Sequence, residues 1–194
     1  MALAKELNQI EAKEEDVTPP CTSWTLTALV DHIVLSHHHY VNENLSLISE
    51  LADKVAKLHG ETNPETIDIQ SLWKKIFQEL SYHIKQEELL LFPYLKNLDR
   101  FSNGELKVLS TTQLRSVRDP VQMMEEEHEL INKWMGRIRM LTSDFTPPIR
   151  ASMAYKMLYA MLHEFEIDLH KHVHLENDIL FPKAIRIEDW SKSK

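Results

Sequence analysis

One motif of histidine and glutamate occurs twice in this chain of 194 residues. The stretches 83–93 and 172–182 both read H-x-x-x-E-x-x-x-L-F-P, and their first residues lie 89 positions apart. In each copy the histidine and the glutamate are four residues apart, so on a helix they share one face, one turn from each other. Imidazole nitrogens and carboxylate oxygens are common ligands of divalent metals. Two such pairs in one small chain can hold two metal ions between them.

The composition favours helices as the elements that position these side chains. Glycine occurs only three times, far below the usual share of roughly 7%, so few tight turns are available. Leu, Met, Glu, Lys and Ile are abundant, and no run alternates apolar and polar residues as a half-buried strand would. The length suits one domain with a core of its own. We therefore predict an all-α protein.

Turn and capping residues divide the chain into four long helices. The predicted bounds are Thr22 or Ser23 to His59-Gly60, about 66–97, Asp119-Pro120 to about Thr142, and Thr146-Pro147 to about Phe181 or beyond. Pro93 should kink or tighten the end of the second helix. Residues 98–118, with a turn at Asn103-Gly104, form the longest connection. We predict a lead-in over 1–21 that is flexible or partly helical, a bundle over 22–186, and a polar tail over 187–194 that frays.

Each predicted helix carries a stripe of apolar residues that steps by three or four positions. The stripes are Val30, Val34, His38, Val41, Leu45, Ile48, Ala52 and Val55; Ile69, Trp73, Ile76, Leu80, His83, Glu87 and Leu90; Val121, Met124, His128, Ile131, Met135 and Ile138; and Met161, Phe165, Leu169, His172, Glu176 and Ile179. Every stripe contains a histidine, and two also contain a glutamate. Because His38 and His128 are 90 residues apart, the first helix pair is repeated as the second. We predict an up-down four-helix bundle with pseudo-twofold symmetry that brings these six polar side chains to one level of the core.

Six ionisable side chains at core positions need a compensating cation. One histidine in an apolar stripe is most often a structural residue bonded to a neighbour. A buried, unpaired carboxylate costs on the order of several kcal/mol, which argues against a metal-free structural bundle. Nitrogen and carboxylate ligands suit iron or manganese better than a closed zinc site. Two glutamates that can each span two metals predict a dinuclear centre with room for a bridging oxide or hydroxide. The order of ligands differs from the Glu-x-x-His of ferritin-like proteins.

The remaining histidines are less suited to a metal site. His38 fits the stripe best among three consecutive histidines, and His37 is the alternative if the frame shifts by one. His170 and His174 lie two residues from His172 and face elsewhere on a helix. The residues expected at the surface or in supporting positions are His32, His59 and His163, and those expected as hydrogen-bond partners of the site are Glu43 and Glu127.

Charge and composition exclude several classes of function. The formal net charge is −8, and no basic patch exists that nucleic-acid binding would need. No apolar run reaches the roughly 18 residues of a membrane span, and residues 1–16 lack the apolar stretch of a secretory signal. Cys21 is the only cysteine, so no internal disulfide can form, and we expect a reducing, cytoplasmic location.

The residues of the site resemble the hemerythrin-like (HHE) family, and within it the iron-sulfur cluster repair proteins, over about residues 24–186. The similarity is carried by 31–34 leading to His38, by 83–93, by 125–129 and by 172–182. The resemblance implies a bundle that holds two iron ions, bridged by carboxylates and by oxide or hydroxide. It implies that the terminal ligands are His38, His83, His128 and His172, and that the bridging carboxylates are Glu87 and Glu176.

The chain departs from two patterns within the family. Oxygen-carrying hemerythrins have a fifth histidine one turn from the third-helix histidine and an aspartate bridge on the fourth helix. Here Met124 and Asn132 flank His128, and the fourth helix offers Glu176, which is typical of the repair type. Many repair proteins also carry an N-terminal domain with a cysteine pair. With only Cys21 ahead of the first helix, we expect that domain to be absent.

The resemblance implies a protein of nitrosative and oxidative stress defence that repairs damaged iron-sulfur centres. Iron donation and the handling of nitric oxide at the di-iron site are the two routes it suggests. The expected partners are iron-sulfur proteins as clients and small ligands such as nitric oxide or dioxygen, with a monomer or a dimer as the assembly. The alternative is a module that binds, stores or senses dioxygen or nitric oxide without turnover.

Overall fold

The computed structural model describes residues 23–108 and 114–193, which form four long helices and, within those ranges, no strand. Helix α1 consists of Leu26–His32, Ile33–His38 and His39–His59; α2 of Glu65–Gln86, Glu87–Leu91 and Phe92–Ser102; α3 of Arg118–Leu141; and α4 of Met153–His174, Leu175–Leu180 and Phe181–Lys192. The middle segments of α1, α2 and α4 are π-helical turns. The predicted lead-in over 1–21, with Cys21, lies outside the described residues.

The starts of α1 and α4 differ from the prediction because other side chains cap them. Helix α1 begins at Leu26, where Thr25 Oγ1 accepts a hydrogen bond from the Ala28 amide at 3.1 Å. Helix α4 begins at Met153 and not at Thr146-Pro147, and Ser152 is its cap. The chain first turns through three residues with positive φ, Ser143, Asp144 and Phe145. The predicted turn at Asn103-Gly104 is confirmed, with Gly104 at a φ of +79° that favours glycine.

Helix α4 continues to Lys192, so the prediction that the chain frays from residue 187 is wrong. Glu188 lies fully buried within this segment. Its carboxylate accepts hydrogen bonds from the Tyr94 hydroxyl at 2.6 Å and from the Val117 amide at 2.9 Å. The start of α3 is thereby fastened to α4, because Val117 is the residue ahead of the first turn of α3.

The four helices form the predicted up-down bundle. Helix α1 packs against α2 and α4, and α2 also packs against α3. Buried apolar residues make two clusters, one around Trp73 and Phe165 and the other around Leu95 and Phe181. No helix among the described residues is both long enough and apolar enough to cross a bilayer.

The π-helical turns change which residues of the predicted stripes are buried. All six stripe residues of α3, which has no π turn among its described residues, are buried as predicted. In the other three helices, the stripe positions Val34, Leu90 and Ile179 are only half-buried. Their neighbours Ile33, Leu91 and Leu180 occupy the core instead. A π turn holds about one residue more than an α turn, so a pattern drawn with α spacing shifts by one residue across it.

Candidate metal centre

The two motif copies place core residues at intervals of four along α2 and α4. His83, Glu87, Leu91 and Leu95 are at most 1% exposed, and His172, Glu176, Leu180 and Ala184 are fully buried. Steps of four residues drift by about 40° each around a regular α-helix. The π turns Glu87–Leu91 and Leu175–Leu180 absorb much of this drift. A motif with this spacing therefore needs a π turn. The turn allows the polar ligands and the apolar Leu-Phe pair to lie on the same buried side of the helix.

Six buried side chains converge between the two apolar clusters. His38 and His172 form one group with Glu87 and Glu176, and potential ligand atoms of these four lie within 4.8 Å of one another. His83 and His128 form a second group with the same two glutamates. All six residues are at most 1% exposed. Both groups contain both glutamates, so the arrangement offers two adjacent metal positions with shared carboxylates.

The inward-facing atoms are the Nε2 nitrogens and the carboxylate oxygens. Glu87 Oε2 lies 3.2 Å from His38 Nε2 and 3.5 Å from His83 Nε2. Glu176 Oε2 lies 3.1 Å from His128 Nε2, and Glu176 Oε1 lies 2.9 Å from His172 Nε2. Each glutamate thus stands between one histidine of each group.

Three of the four histidines have an acceptor on the opposite side of the ring. Nδ1 of His38 lies 2.8 Å from Glu88 Oε1, and Nδ1 of His83 lies 2.7 Å from Glu127 Oε2. Nδ1 of His128 lies 2.8 Å from Asn177 Oδ1. Because these oxygens accept, the neutral rings carry their proton on Nδ1 and direct the Nε2 lone pair inward. This is the tautomer that a metal ligand needs.

Unmatched polar atoms at the centre show that these residues fit a cation. His83 Nε2 and His128 Nε2 lie 3.0 Å apart, so in the neutral tautomer two lone pairs face each other. Both oxygens of Glu87, one oxygen of Glu176 and Nε2 of His38 are buried without a hydrogen-bond partner among the described residues. Buried acceptors without donors are costly. Metal ions between them would satisfy all of these atoms together.

The charges of the site shift several pKa values. Burial lowers the pKa of His83, but the charge of Glu87 and the hydrogen bond to Glu127 outweigh it and raise that pKa to about 9. Burial also lowers the pKa of His38, but the nearby carboxylates, Glu87 foremost, outweigh it and raise that pKa. Burial raises the pKa of Glu176, yet His172 and His128 hold it well below the usual carboxyl range. Protons on histidine therefore balance the carboxylates wherever a metal does not, and metal and protons compete for the same atoms.

Comparison with known protein families identifies the family to which this chain belongs. The family described as the hemerythrin HHE cation binding domain matches residues 29–184. The chain belongs to the hemerythrin HHE family. Membership of this family implies iron binding. The matched range contains all six converging side chains.

Two proteins similar to this chain carry names that refer to repair. A probable iron-sulfur cluster repair protein of Haemophilus influenzae is 33% identical over 184 residues, which cover 94% of this chain and 76% of that protein. The iron-sulfur cluster repair protein YtfE of Yersinia pestis is 31% identical over 164 residues, which cover 84% of this chain and 67% of that protein.

The structure brings together all six residues that the sequence predicted as ligands. His37, the alternative to His38, is buried but lies outside both groups. Its Nδ1 is 2.8 Å from Asp168 Oδ1, and its ring stacks on His172 at 5.6 Å. Met124, one of the two positions one turn from His128, is packed in the second apolar cluster.

The sequence predicted only some of the side chains that hydrogen-bond to the histidine rings. Glu127 contacts His83 as expected, whereas Glu43 pairs with the exposed His39 and takes no part in the site. Glu88, Asn177 and Asp168 were not predicted. Glu88 and Asn177 directly follow the two shared glutamates. Their equivalent positions in the repeat could have identified them from the sequence.

Proposed function

We propose that this chain holds two iron ions and takes part in the repair of damaged iron-sulfur centres. His38 and His172 would bind one ion and His83 and His128 the other, while Glu87 and Glu176 would bridge them. The observation that carries the proposal is the sharing of both glutamates by two four-residue groups. The printed names of the two relatives support the repair role.

The donor set suits a protein that gives up iron. Each position has two imidazoles and two shared carboxylates, and none of the six residues is a cysteine. Carboxylates shared between two ions leave each ion fewer ligands of its own than a closed structural site would have. Bound iron would supply either the ion that is transferred or the electrons for chemistry on nitric oxide. The residues themselves hold the ions, fix the imidazole tautomers and exclude bulk water.

A transfer experiment tests the route of iron donation. The iron-loaded protein is mixed with an iron-sulfur enzyme stripped of its cluster, together with sulfide, a reductant and a competing chelator. We expect the cluster absorbance and the enzyme activity to return while this chain loses iron. The Glu176→Ala variant, which we expect to load poorly, is the control.

A second arm distinguishes the chemistry of nitric oxide from donation. The reduced, iron-loaded protein is given nitric oxide, and the headspace is analysed for nitrous oxide. Product formation would support the nitric oxide route. A protein that neither restores the enzyme nor forms product, yet binds a small ligand reversibly, would instead support the storage or sensing module.

A further inference from the structure

The two metal positions share their carboxylates but differ in how their histidines are held. We call them the His38–His172 position and the His83–His128 position. In the latter, both outer nitrogens have an acceptor within hydrogen-bonding distance, on Glu127 and Asn177. In the former, His38 has Glu88, but Nδ1 of His172 is buried without a hydrogen-bond partner in the ranges 23–108 and 114–193.

A single departure from the pseudo-twofold repeat accounts for this difference. The residue before His128 is Glu127, which contacts the ring of His83 in the neighbouring helix. The residue before His38 is His37, at the equivalent place beside His172. His37 contributes no carboxylate. It turns its Nδ1 to Asp168 and lies parallel to the His172 ring, with an interplanar angle of 3°. The outer side of the His172 ring is thus held by packing, and its Nδ1 has no acceptor within the described ranges.

An acceptor on the outer nitrogen strengthens a histidine ligand. It raises the basicity of the inner nitrogen and fixes the ring, and loss of such a partner typically lowers metal affinity about 10–100-fold. His172 lacks this support, while His83 and His128 both have it. The two positions should therefore differ in affinity although the six inner side chains are arranged nearly symmetrically.

A groove in the surface borders the His38 side of the less supported position. It has a volume of about 430 Å³ and is lined by Val34, Leu35, His38, His39, Asn42 and Glu88. The side chain of Glu88, which contacts His38, is 39% exposed. The weaker support of His172 and a solvent-filled groove beside His38 therefore occur at the same position, and a chelator or a client could approach the ion from that side.

From these two observations we infer that the His38–His172 position binds its ion more weakly and releases it first. The inference rests on the proposed two-ion centre and names the iron that a client would receive. His37 acts as a positioning residue, because its identity decides whether His172 has an acceptor.

Iron release to a strong ferrous chelator tests the inference without any assay of repair. We expect the loaded wild-type protein to release iron in two phases of about one ion per chain each, with rates that differ roughly tenfold or more. His37→Glu restores the missing carboxylate and should slow the fast phase towards the slow one. Glu127→Gln weakens the other position and should accelerate only the slow phase. His170→Ala, an exposed change on α4, should leave both phases unaltered.

The outcomes separate this inference from the proposed function. Release of two ions in a single phase by the wild type would overturn the inference while leaving a two-ion centre in place. The same holds if a folded His37→Glu protein releases its first ion as fast as the wild type. If His37→Glu does not fold, Glu127→Gln decides, and an unchanged slow phase overturns the inference. A wild type that loads fewer than two ions contradicts the proposed centre itself.

Discussion

At the scale of single residues, Glu87 and Glu176 matter most because each belongs to both groups of side chains that could hold a metal ion. Removal of one histidine would remove a ligand from one position, but removal of one glutamate takes a carboxylate from both. It also leaves neighbouring histidines without their counter-charge, since the His38 and His128 nitrogens lie within about 3 Å of these carboxylates.

The first prediction concerns these glutamates. Glu87→Ala or Glu176→Ala should reduce iron from about two ions per chain to well under one, while His170→Ala should keep the full content because His170 is exposed on another face of α4. Elemental analysis of anaerobically loaded protein, with absorption spectra, measures the effect. Equal iron in all three variants would refute the ligand assignment.

The second prediction concerns pH and the protein stripped of metal. His83 has an ordinary pKa of 6.5 and a folded pKa of about 9. Its protonation therefore stabilises the fold fully below pH 6.5, and this stabilisation is lost as the pH rises through 9. The shift corresponds to on the order of 3 kcal/mol, and His38 shifts in the same direction.

Denaturant unfolding of chelator-treated protein at pH 6.5 and pH 9.5 measures this loss. The free energy of unfolding should be lower at pH 9.5, and His170→Ala should behave as the wild type does. In acid the sign is opposite, because Glu176 has a lowered pKa and loses its contribution as the pH falls through it. Constant stability between pH 6.5 and 9.5 would contradict the charge balance described for the centre.

At the scale of elements, the π turns allow the helices to serve both the site and the core. Each turn contains a shared glutamate or His38. Helix α3 has no such turn within its described length and contributes only His128 of the six. The repeat of helix pairs is therefore approximate: α1 and α3 each contribute one histidine, but among the described residues only α1 has a π turn at that place.

A pair of carboxylates extends the repeat beyond the motif. Asp99 and Glu188 each lie 12 residues after a shared glutamate. Asp99 Oδ2 accepts from the Thr27 amide at 3.1 Å, and Glu188 Oε1 accepts from the Val117 amide at 2.9 Å. Each carboxylate thus satisfies an amide at the start of the helix that carries a partner histidine, which fixes where His38 and His128 stand.

The third prediction compares two deletions of one exposed residue in α2. Deletion of Leu89 removes the extra residue of the π turn and leaves an α turn, so the segments on both sides keep their buried faces. Deletion of Lys75, in a regular segment, rotates the helix on one side of it by about 100°. We expect the first variant to unfold cooperatively with reduced iron content, and the second to lose cooperative unfolding.

Circular dichroism during thermal and denaturant unfolding distinguishes the two deletions, and Leu89→Ala is the matched control for the loss of the side chain. If both deletions are equally destabilising, the π turn does not act as an added residue.

At the scale of the whole molecule, the candidate metal centre is a polar layer between two apolar clusters. Trp73 and Phe165 pack on one side of it, and Leu95 and Phe181 on the other. The helices cross this layer without a break, so charges in the layer act on the packing of both clusters. Metal binding should therefore be a large part of the stability of the loaded protein, because an ion that binds only the folded state shifts the equilibrium towards it.

The fourth prediction is a fall in melting temperature when iron is removed. With iron present at about 1,000 times its dissociation constant, binding contributes roughly 4 kcal/mol, which corresponds to on the order of 10 °C for a chain of this length. Scanning calorimetry before and after chelation measures the change. Glu176→Ala should melt alike under both conditions, and an identical melting temperature for loaded and stripped wild type would contradict the role of the layer.

Sequence alone determined the helical class, the bundle and the six converging residues. Periodicity shows which face of a helix is buried, and a buried histidine or glutamate stands out within that face. The repeat of the motif then paired the helices. Periodicity and motif repeats are properties of the order of residues along the chain, so they can be recognised from the sequence.

Only the tertiary structure decided the π turns, the burial of Glu188 and the different surroundings of the two metal positions. The π turn at Glu87–Leu91 forms because the helical segments on both sides of it must each bury their own apolar face. Glu188 looks like a tail residue until Tyr94 and Val117, which are distant in sequence, provide its donors. His37 and Glu127 occupy equivalent places in the repeat, but their effect depends on contacts with His172 and His83 across helices. Such contacts depend on distance in space, and a sequence read along one chain does not contain them.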